Sequence, residues 1–177
     1  MKENYTKKIV LSALLLAIAV IAQSLGRIFP NISQVFVGSI VNAVLILTAY
    51  ICGLPFALLT SALTPLLAFL TGQLNPVLGP FVPFIALGNM ILVALFYLLK
   101  NRGEWGLYLG VLSGSLLKFA FLFFSATKLV FIFALPIPQK VAQKLTVAMG
   151  SIQLVTAIIG GSVALFIIKA LKIRKII

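Results

Sequence analysis

Apolar positions fill six stretches of helix length along the chain, and the segments between and flanking them hold most of its charged residues. A hydrocarbon core about 30 Å thick needs about twenty apolar residues per crossing helix. The pattern therefore predicts an all-α fold, an integral membrane bundle of six transmembrane helices that forms a single transmembrane domain over residues 1–177. The helices are expected at about residues 9–25, 34–51, 55–71, 81–99, 105–125 and 152–171.

Proline and glycine mark the connections between these helices. Cys52-Gly53-Leu54 predicts a tight turn, and the uncharged segment 73–80 between helices 3 and 4 is rich in both residue types. Pro65 falls inside helix 3 and is expected to kink it unless neighbours satisfy the carbonyl that it frees. The longest connection joins helices 5 and 6 and includes an amphipathic stretch at 139–149.

Charge sets the expected orientation in the membrane. Lys and Arg total 14 against two acids, a net charge of +12. Nucleic-acid binding is not favoured, because the charges lie at helix ends, where they meet lipid headgroups. With six spans, three basic groups share one side, which the positive-inside rule makes the cytoplasm. The distribution of charge therefore predicts a multi-pass plasma-membrane protein with both termini in the cytoplasm. These groups comprise Lys2, Lys7, Lys8, Lys100, Arg102, Lys169, Lys172, Arg174 and Lys175.

The rare residue types exclude several classes of function. The chain has no histidine, and its two acids, Glu3 and Glu104, lie outside the predicted spans. Carriers driven by protons or sodium usually keep a carboxylate or histidine in the membrane. General acid–base pairs and metal-ligand clusters are missing for the same reason, and Cys52 has no partner for a disulfide. We expect no catalytic residue, no metal site and no cofactor, and therefore no enzyme.

Polar residues inside the spans concentrate in the halves expected to face outside. At 1.5 Å per residue, Asn42 and Asn89 lie about 12 Å below the outer surface, and Lys118 about 10 Å. Gln73 closes the outer end of helix 3, and Gln153 occupies the outer part of helix 6. This asymmetry predicts a polar cavity open to the outside. The candidate substrate-binding residues are Lys118, Asn89, Asn42, Arg27, Gln73, Gln153 and Lys128.

Each candidate has an alternative interpretation. A buried ammonium normally faces a cavity or a partner. Because no acid is buried, the partner of Lys118 must be a bound anion, carbonyl groups or water. Its side chain also has the length to snorkel to the outer headgroups. Asn42 and Asn89 suit interhelical hydrogen bonds equally well. Arg27 and Lys128 either form an anion-attracting mouth or are solvated loop charges.

Small residues predict close helix contacts at two places. Gly106, Gly110 and Gly114 form a stripe on helix 5 that lets a neighbouring helix approach and that turns Lys118 toward the bundle. Ala13 and Ala17 form a small-residue patch on helix 1. The patch either packs inside the bundle, which helix packing alone favours, or docks a separate membrane protein.

The chain resembles the substrate-binding S component of energy-coupling factor (ECF) transporters, which import vitamins and trace nutrients. The resemblance lies in size, six helices, an outward polar cavity, and Lys7-Lys8 followed by Ala13-Leu14-Leu15-Leu16-Ala17, which matches the AxxxA motif of that family. The resemblance implies that Ala13 and Ala17 contact the transmembrane coupling subunit (EcfT), which joins two cytoplasmic ATPases. It further implies that the segments connecting helices 1–2, 3–4 and 5–6 cover the cavity, and that the S component topples in the bilayer during transport.

The predicted function is thus a membrane-embedded binding subunit of an ECF-type ABC importer, which captures a small vitamin-like nutrient with an anionic or strongly polar group. Two alternatives remain open at this point. One is a stand-alone carrier or facilitator of a small solute, and the other is a membrane assembly factor without a transport role. The residues do not identify the nutrient.

Overall fold

The computed structural model describes residues 2–28 and 34–175. All regular structure in these ranges is helical. The ends of the predicted domain, residue 1 and residues 176–177, lie outside the described ranges. The α-helices are α1 Lys2–Ile28, α2 Gln34–Ile51, α3 Leu54–Leu70, α4 Val82–Leu99, α5 Gly103–Phe124, α6 Val130–Ile132, α7 Gln139–Ala148 and α8 Ser151–Ile173.

Five helical stretches of the described ranges are long and apolar enough to cross a membrane. They are Tyr5–Ile28, Gln34–Ile51, Pro76–Leu99, Gly103–Ile132 and Lys140–Ile173. The sixth predicted span corresponds to α3, which is apolar but has 17 residues. Its axis is about 25 Å long, slightly less than the hydrocarbon thickness. The all-helical membrane fold is therefore confirmed, and six crossings remain an expectation.

Two helices extend beyond the predicted bounds. The first was expected from residue 9 but begins at Lys2, because the polar residues before the apolar run include no proline or glycine to end the helix. The fifth was expected to end near residue 125. It continues through a π-helical segment, Ser125–Leu129, into α6, since the next helix-breaking residue is Pro136. The amphipathic stretch after it forms α7, bounded by Pro138.

Helix α3 runs through Pro65 without interruption. Proline removes the hydrogen bond to the carbonyl four residues earlier, which here belongs to Ser61. The side-chain nitrogen of Asn89 on α4 lies 3.5 Å from that carbonyl oxygen. A polar residue of the neighbouring helix therefore takes the place of the missing backbone donor.

Glycines bring two helix pairs close together. A Cβ atom on Gly114 would lie 2.9 Å from the Leu92 carbonyl oxygen of α4, and one on Gly110 would lie 3.1 Å from the Phe96 Cα atom. The predicted glycine stripe on α5 thus packs against α4. On α8, a Cβ atom on Gly160 would collide with the Ser39 carbonyl oxygen of α2, so α2 and α8 are also in backbone contact.

Apolar side chains fill the half of the bundle near the α2–α3 turn. They include Leu45, Ile46, Leu92, Phe96 and Ile168, which are fully or almost fully buried.

At the end of this half, Lys100 donates to the Ala49 and Tyr50 carbonyl oxygens at 3.2 and 3.3 Å, and its ammonium lies 4.1 Å from the Tyr97 ring centre. Burial and, less strongly, the nearby charge of Lys8 lower the pKa of Lys100.

Candidate functional site

A polar cavity lies in the opposite half of the bundle. Its volume is about 130 Å³, and α1, α2, α3, α4, α5 and α8 all contribute to its wall. The hydrogen-bonding side chains among its lining residues are Gln23, Gln34, Asn42, Thr64, Gln73, Asn89, Lys118, Gln153 and Thr156. Val41, Ile85 and Ile152 supply apolar wall. The cavity thus combines hydrogen-bonding groups with hydrocarbon, as sites for small molecules do.

Lys118 of α5 is fixed by a relay of hydrogen bonds that crosses to α2 and α8. Its side chain is 3% exposed, and its Nζ donates to Asn42 Oδ1 at 2.6 Å. The two amide hydrogens of Asn42 are also used, toward the Gly38 carbonyl at 2.9 Å and the Thr156 hydroxyl at 3.3 Å. Thr156 in turn donates to the Gln153 carbonyl at 3.0 Å. The orientation of the amide is therefore set, with its oxygen toward the ammonium.

Helix α3 forms the wall on the other side of the cavity, and side chains of α1 and α4 contact it. Thr64 and Pro65 line the wall there. Gln23 of α1 is 5% exposed, and its Nε2 lies 3.4 Å from the Thr64 carbonyl oxygen. Together with Asn89 at Ser61, this contact places one amide side chain from α1 and one from α4 on the proline-containing turn of α3. These bonds are long, which is typical of weak interactions.

Five of the predicted binding residues line this one cavity, namely Lys118, Asn42, Asn89, Gln73 and Gln153. Lys118 does not snorkel toward the headgroups, because it is buried and bonded within the bundle. Both asparagines make the interhelical hydrogen bonds that were the alternative interpretation, and both also border the cavity.

Arg27 and Lys128 do not line the cavity. Arg27 is exposed and donates to the Thr71 carbonyl at the end of α3, two residues before Gln73. It therefore joins the ends of α1 and α3 beside the cavity wall. Lys128 is exposed on the π-helical segment.

The sequence did not assign Gln23, Gln34, Thr64 or Thr156 to the site. Gln23 and Thr156 are polar residues of the halves that the sequence predicts to face outside. Thr64 carries no distinguishing signal, because its hydroxyl donates to the Thr60 carbonyl at 2.6 Å, as intrahelical threonines do. Its place at the cavity follows from Pro65 and from the packing of α1 and α4, which hydropathy does not encode.

Residues of the connections contribute to the covering of the cavity. Gln73 and Leu74 come from the segment after α3, and Met149 from the turn between α7 and α8. Met149 belongs to an apolar cluster with Phe81, Leu122, Ile137 and Leu145 that ties α7 to α4 and α5. The connection between helices 1 and 2, which was also expected to cover the cavity, includes residues 29–33, and these lie outside the described ranges.

The alanine patch lies on the surface of α1. Ala13 and Ala17 are both exposed, and so are the neighbouring Leu14, Ile18 and Ile21. These alanines consequently do not pack inside the bundle. A separate apolar groove with a volume of about 730 Å³ lies between α1, α2 and α8, where Leu15 and Ile18 are its lining residues on α1.

The described lining residues are chemically suited to binding a small polar molecule. Lys118 is the one charged side chain among the described lining residues. No group of three or more His, Cys, Asp or Glu residues suited to a metal ion occurs in the described ranges. The cavity therefore offers one cation, several amides and hydroxyls, and apolar wall to a small polar ligand.

Comparison with known proteins identifies the family. The model of the family described as "ECF transporter, substrate-specific component" matches residues 7–171. Searches of curated proteins and of solved structures each found no match. The match covers nearly the whole chain, including every helix that lines the cavity. This chain belongs to the substrate-specific (S) components of ECF transporters.

Proposed function

We propose that this S component captures a small, vitamin-like nutrient from outside the cell in the cavity around Lys118. The observation that carries the proposal is the unequal filling of the bundle. Six helices contribute polar groups to a cavity in one half, whereas tightly packed hydrocarbon fills the other. A ligand thus has a binding site but no polar route through the bundle.

The distribution of basic residues supports the orientation of this cavity. The half filled with hydrocarbon ends at Lys8, Lys100 and Lys172, whose side the positive-inside rule assigns to the cytoplasm. The cavity then faces outward, with both termini cytoplasmic. Release on the inner side requires a movement of the whole S component, driven by the coupling subunit EcfT and two cytoplasmic ATPases.

We further propose that Ala13 and Ala17 form the contact with EcfT. Their exposure on α1 gives a neighbouring transmembrane helix room for close approach, as small residues do at membrane helix interfaces.

A thermal-shift screen of water-soluble vitamins and their precursors tests ligand capture with the purified chain. We expect one compound class to raise the midpoint of unfolding in a saturable manner, because a ligand that binds the folded state alone stabilises it. Uptake of that compound into liposomes should then require EcfT, the ATPases and ATP. Uptake by the isolated chain without ATP would identify a facilitator instead, and no ligand in either assay would contradict the proposal.

A further inference from the structure

We propose that the ligand is a compact monoanion, about the size of one six-membered ring bearing a carboxylate or an equivalent group, with its negative group at the Lys118 ammonium. This inference rests on the proposed function and names the class of substrate for the same cavity. It follows from three independent properties of the site, namely its charge, its unused donors and its volume.

The charge of the cavity wall is positive and unbalanced. Lys118 is buried to 3% exposure, and none of the described lining residues is an acid. Glu104, in the first turn of α5, is exposed about four turns away from Lys118. A buried ammonium without a counter-ion is unfavourable, and a ligand with one negative charge removes the imbalance. A dianion would leave one uncompensated negative charge in the bundle.

The ammonium has donor capacity left over. Lysine carries three N–H donors, and the described residues accept one of them, through Asn42 Oδ1 at 2.6 Å. Asn42 cannot rotate to offer more, because its nitrogen is held by Gly38 and Thr156. The two remaining donors are available to the oxygens of an anionic group such as a carboxylate. Charge-assisted hydrogen bonds of this kind are about twice as strong as neutral ones.

The volume limits the rest of the ligand. The cavity measures about 130 Å³, close to the roughly 150 Å³ of an engineered protein cavity that binds benzene. Val41, Ile85 and Ile152 give it apolar wall that suits such a ring. A single ring therefore fits this space more closely than a fused-ring system does.

Three small probes separate charge from size, namely pyridine-3-carboxylate, pyridine-3-carboxamide and quinoline-3-carboxylate. The first two have nearly the same shape and differ in charge, and the third adds a fused ring to the acid. Titrations of the purified full chain are followed by thermal shift and calorimetry. We expect the dissociation constant of the single-ring acid to be at least about tenfold lower than those of the other two, which is the scale of one charged hydrogen-bond partner.

Substitutions assign this preference to Lys118. Lys118→Met keeps a similar length without charge and should bring the acid and the amide to equal affinity. Asn42→Asp should do the same while retaining the lysine, because its carboxylate becomes the counter-ion 2.6 Å from Nζ. Lys144→Ala removes an exposed positive charge from α7 and should leave the preference unchanged. The Lys144 variant therefore tests whether a change of net charge alone alters the preference. The Asn42 variant tests whether the effect of Lys118→Met comes from misfolding, because it leaves Lys118 in place.

Equal binding of the amide, equal binding of the fused-ring acid, or no binding of either single-ring probe would overturn the inference. The proposed function is judged separately, by mass spectrometry of small molecules that co-purify with the chain from cells. A retained neutral or larger nutrient would sustain the function and refute the monoanion. If no small molecule is retained and the vitamin screen is negative, the proposed function itself fails.

Discussion

Two lysines of this chain are withdrawn from water, and they differ in what surrounds the ammonium. Lys100 lies half-buried at a helix end, with two backbone carbonyls and the rings of Tyr97 and Tyr50 around its Nζ. Lys118 lies deep in the bundle and has one amide oxygen. The first arrangement gives the ammonium two carbonyl acceptors and two rings, whereas the second gives it one acceptor among the described residues. The two residues should therefore respond in opposite ways to substitution.

Lys100→Ala should destabilise the ligand-free protein by about 1–3 kcal/mol, because it removes charged hydrogen bonds to the end of α2. Lys118→Met should leave the stability unchanged or raise it, since apolar replacements of buried charges are often neutral or stabilising. Chemical unfolding in detergent measures both values, with the exposed Arg102→Ala as a control. A large loss of stability in Lys118→Met would assign that lysine a structural role.

At the scale of helices, close backbone contact positions the polar relay. Gly160 of α8 lies against the Ser39 carbonyl of α2, one turn from the Thr156 hydroxyl that holds Asn42. Gly38 lies against Thr156 itself, where a Cβ atom would come within 2.9 Å of Cγ2. The distance between α2 and α8 thus determines whether Asn42 presents its oxygen to Lys118.

Gly160→Leu should force α8 away from α2 and weaken ligand binding along with stability. Overpacking of this kind typically costs about 1–3 kcal/mol. Ser162→Leu, two residues further on the exposed surface of α8, is the matched control and should have little effect on either quantity. Equal effects of the two substitutions on the unfolding midpoint would show that α8 packs differently.

The surface of α1 should affect transport without affecting binding. Replacing Ala13 and Ala17 with tryptophan fills the space that a neighbouring helix of EcfT would occupy, while the cavity contacts of Gln23 stay intact. We expect ATP-dependent uptake to be lost and ligand affinity to be preserved. Leu116→Trp on the exposed face of α5 provides the control. Loss of ligand affinity in the alanine variants would instead indicate a role of α1 in the fold.

For the whole molecule, the decisive feature is that the polar cavity and the basic cluster around Lys100 occupy opposite ends of the bundle. The single cysteine allows a direct test of which end faces the cytoplasm. Cys52 is 2% exposed, and burial raises the pKa of its thiol, so little reaction with maleimides is expected from the native chain.

In a Cys52→Ser background, Lys140→Cys should react with a membrane-impermeant maleimide added to intact cells. Asn101→Cys, on the loop at the other end, should react only after the membrane is opened. Both positions are exposed, so accessibility to the reagent depends on sidedness alone. The reverse labelling pattern would place the cavity on the cytoplasmic side and contradict capture from outside.

Hydropathy predicted the helices well, because each apolar run has to be helical in the membrane. The Gln34–Ile51 helix was predicted to the residue, and the polar residues concentrated in one half of the predicted helices indicated the cavity. The extension of α1 to Lys2 and the π-helical segment after Phe124 were not predicted, since the polar first turns and the π-helical turn leave no periodic apolar signal.

The hydrogen-bond partner of Lys118 was not predicted from the sequence either. Asn42 was a candidate ligand contact, but its pairing with α5 depends on which helices are neighbours. The glycines of α5 and α8 set that arrangement through backbone contacts with α4 and α2. Their partners cannot be read from one sequence. The exposure of Ala13 and Ala17 depends on the same arrangement, and it differs from the internal packing that small residues alone favoured.

The most direct test of the central claim is an experimental structure of the protein purified with its nutrient. We predict ligand density in the cavity between α2, α5 and α8, with an anionic group within about 3 Å of Lys118 Nζ, the usual distance for such a hydrogen bond. Density for the nutrient elsewhere, or a cavity closed by apolar side chains around an unliganded Lys118, would contradict the account.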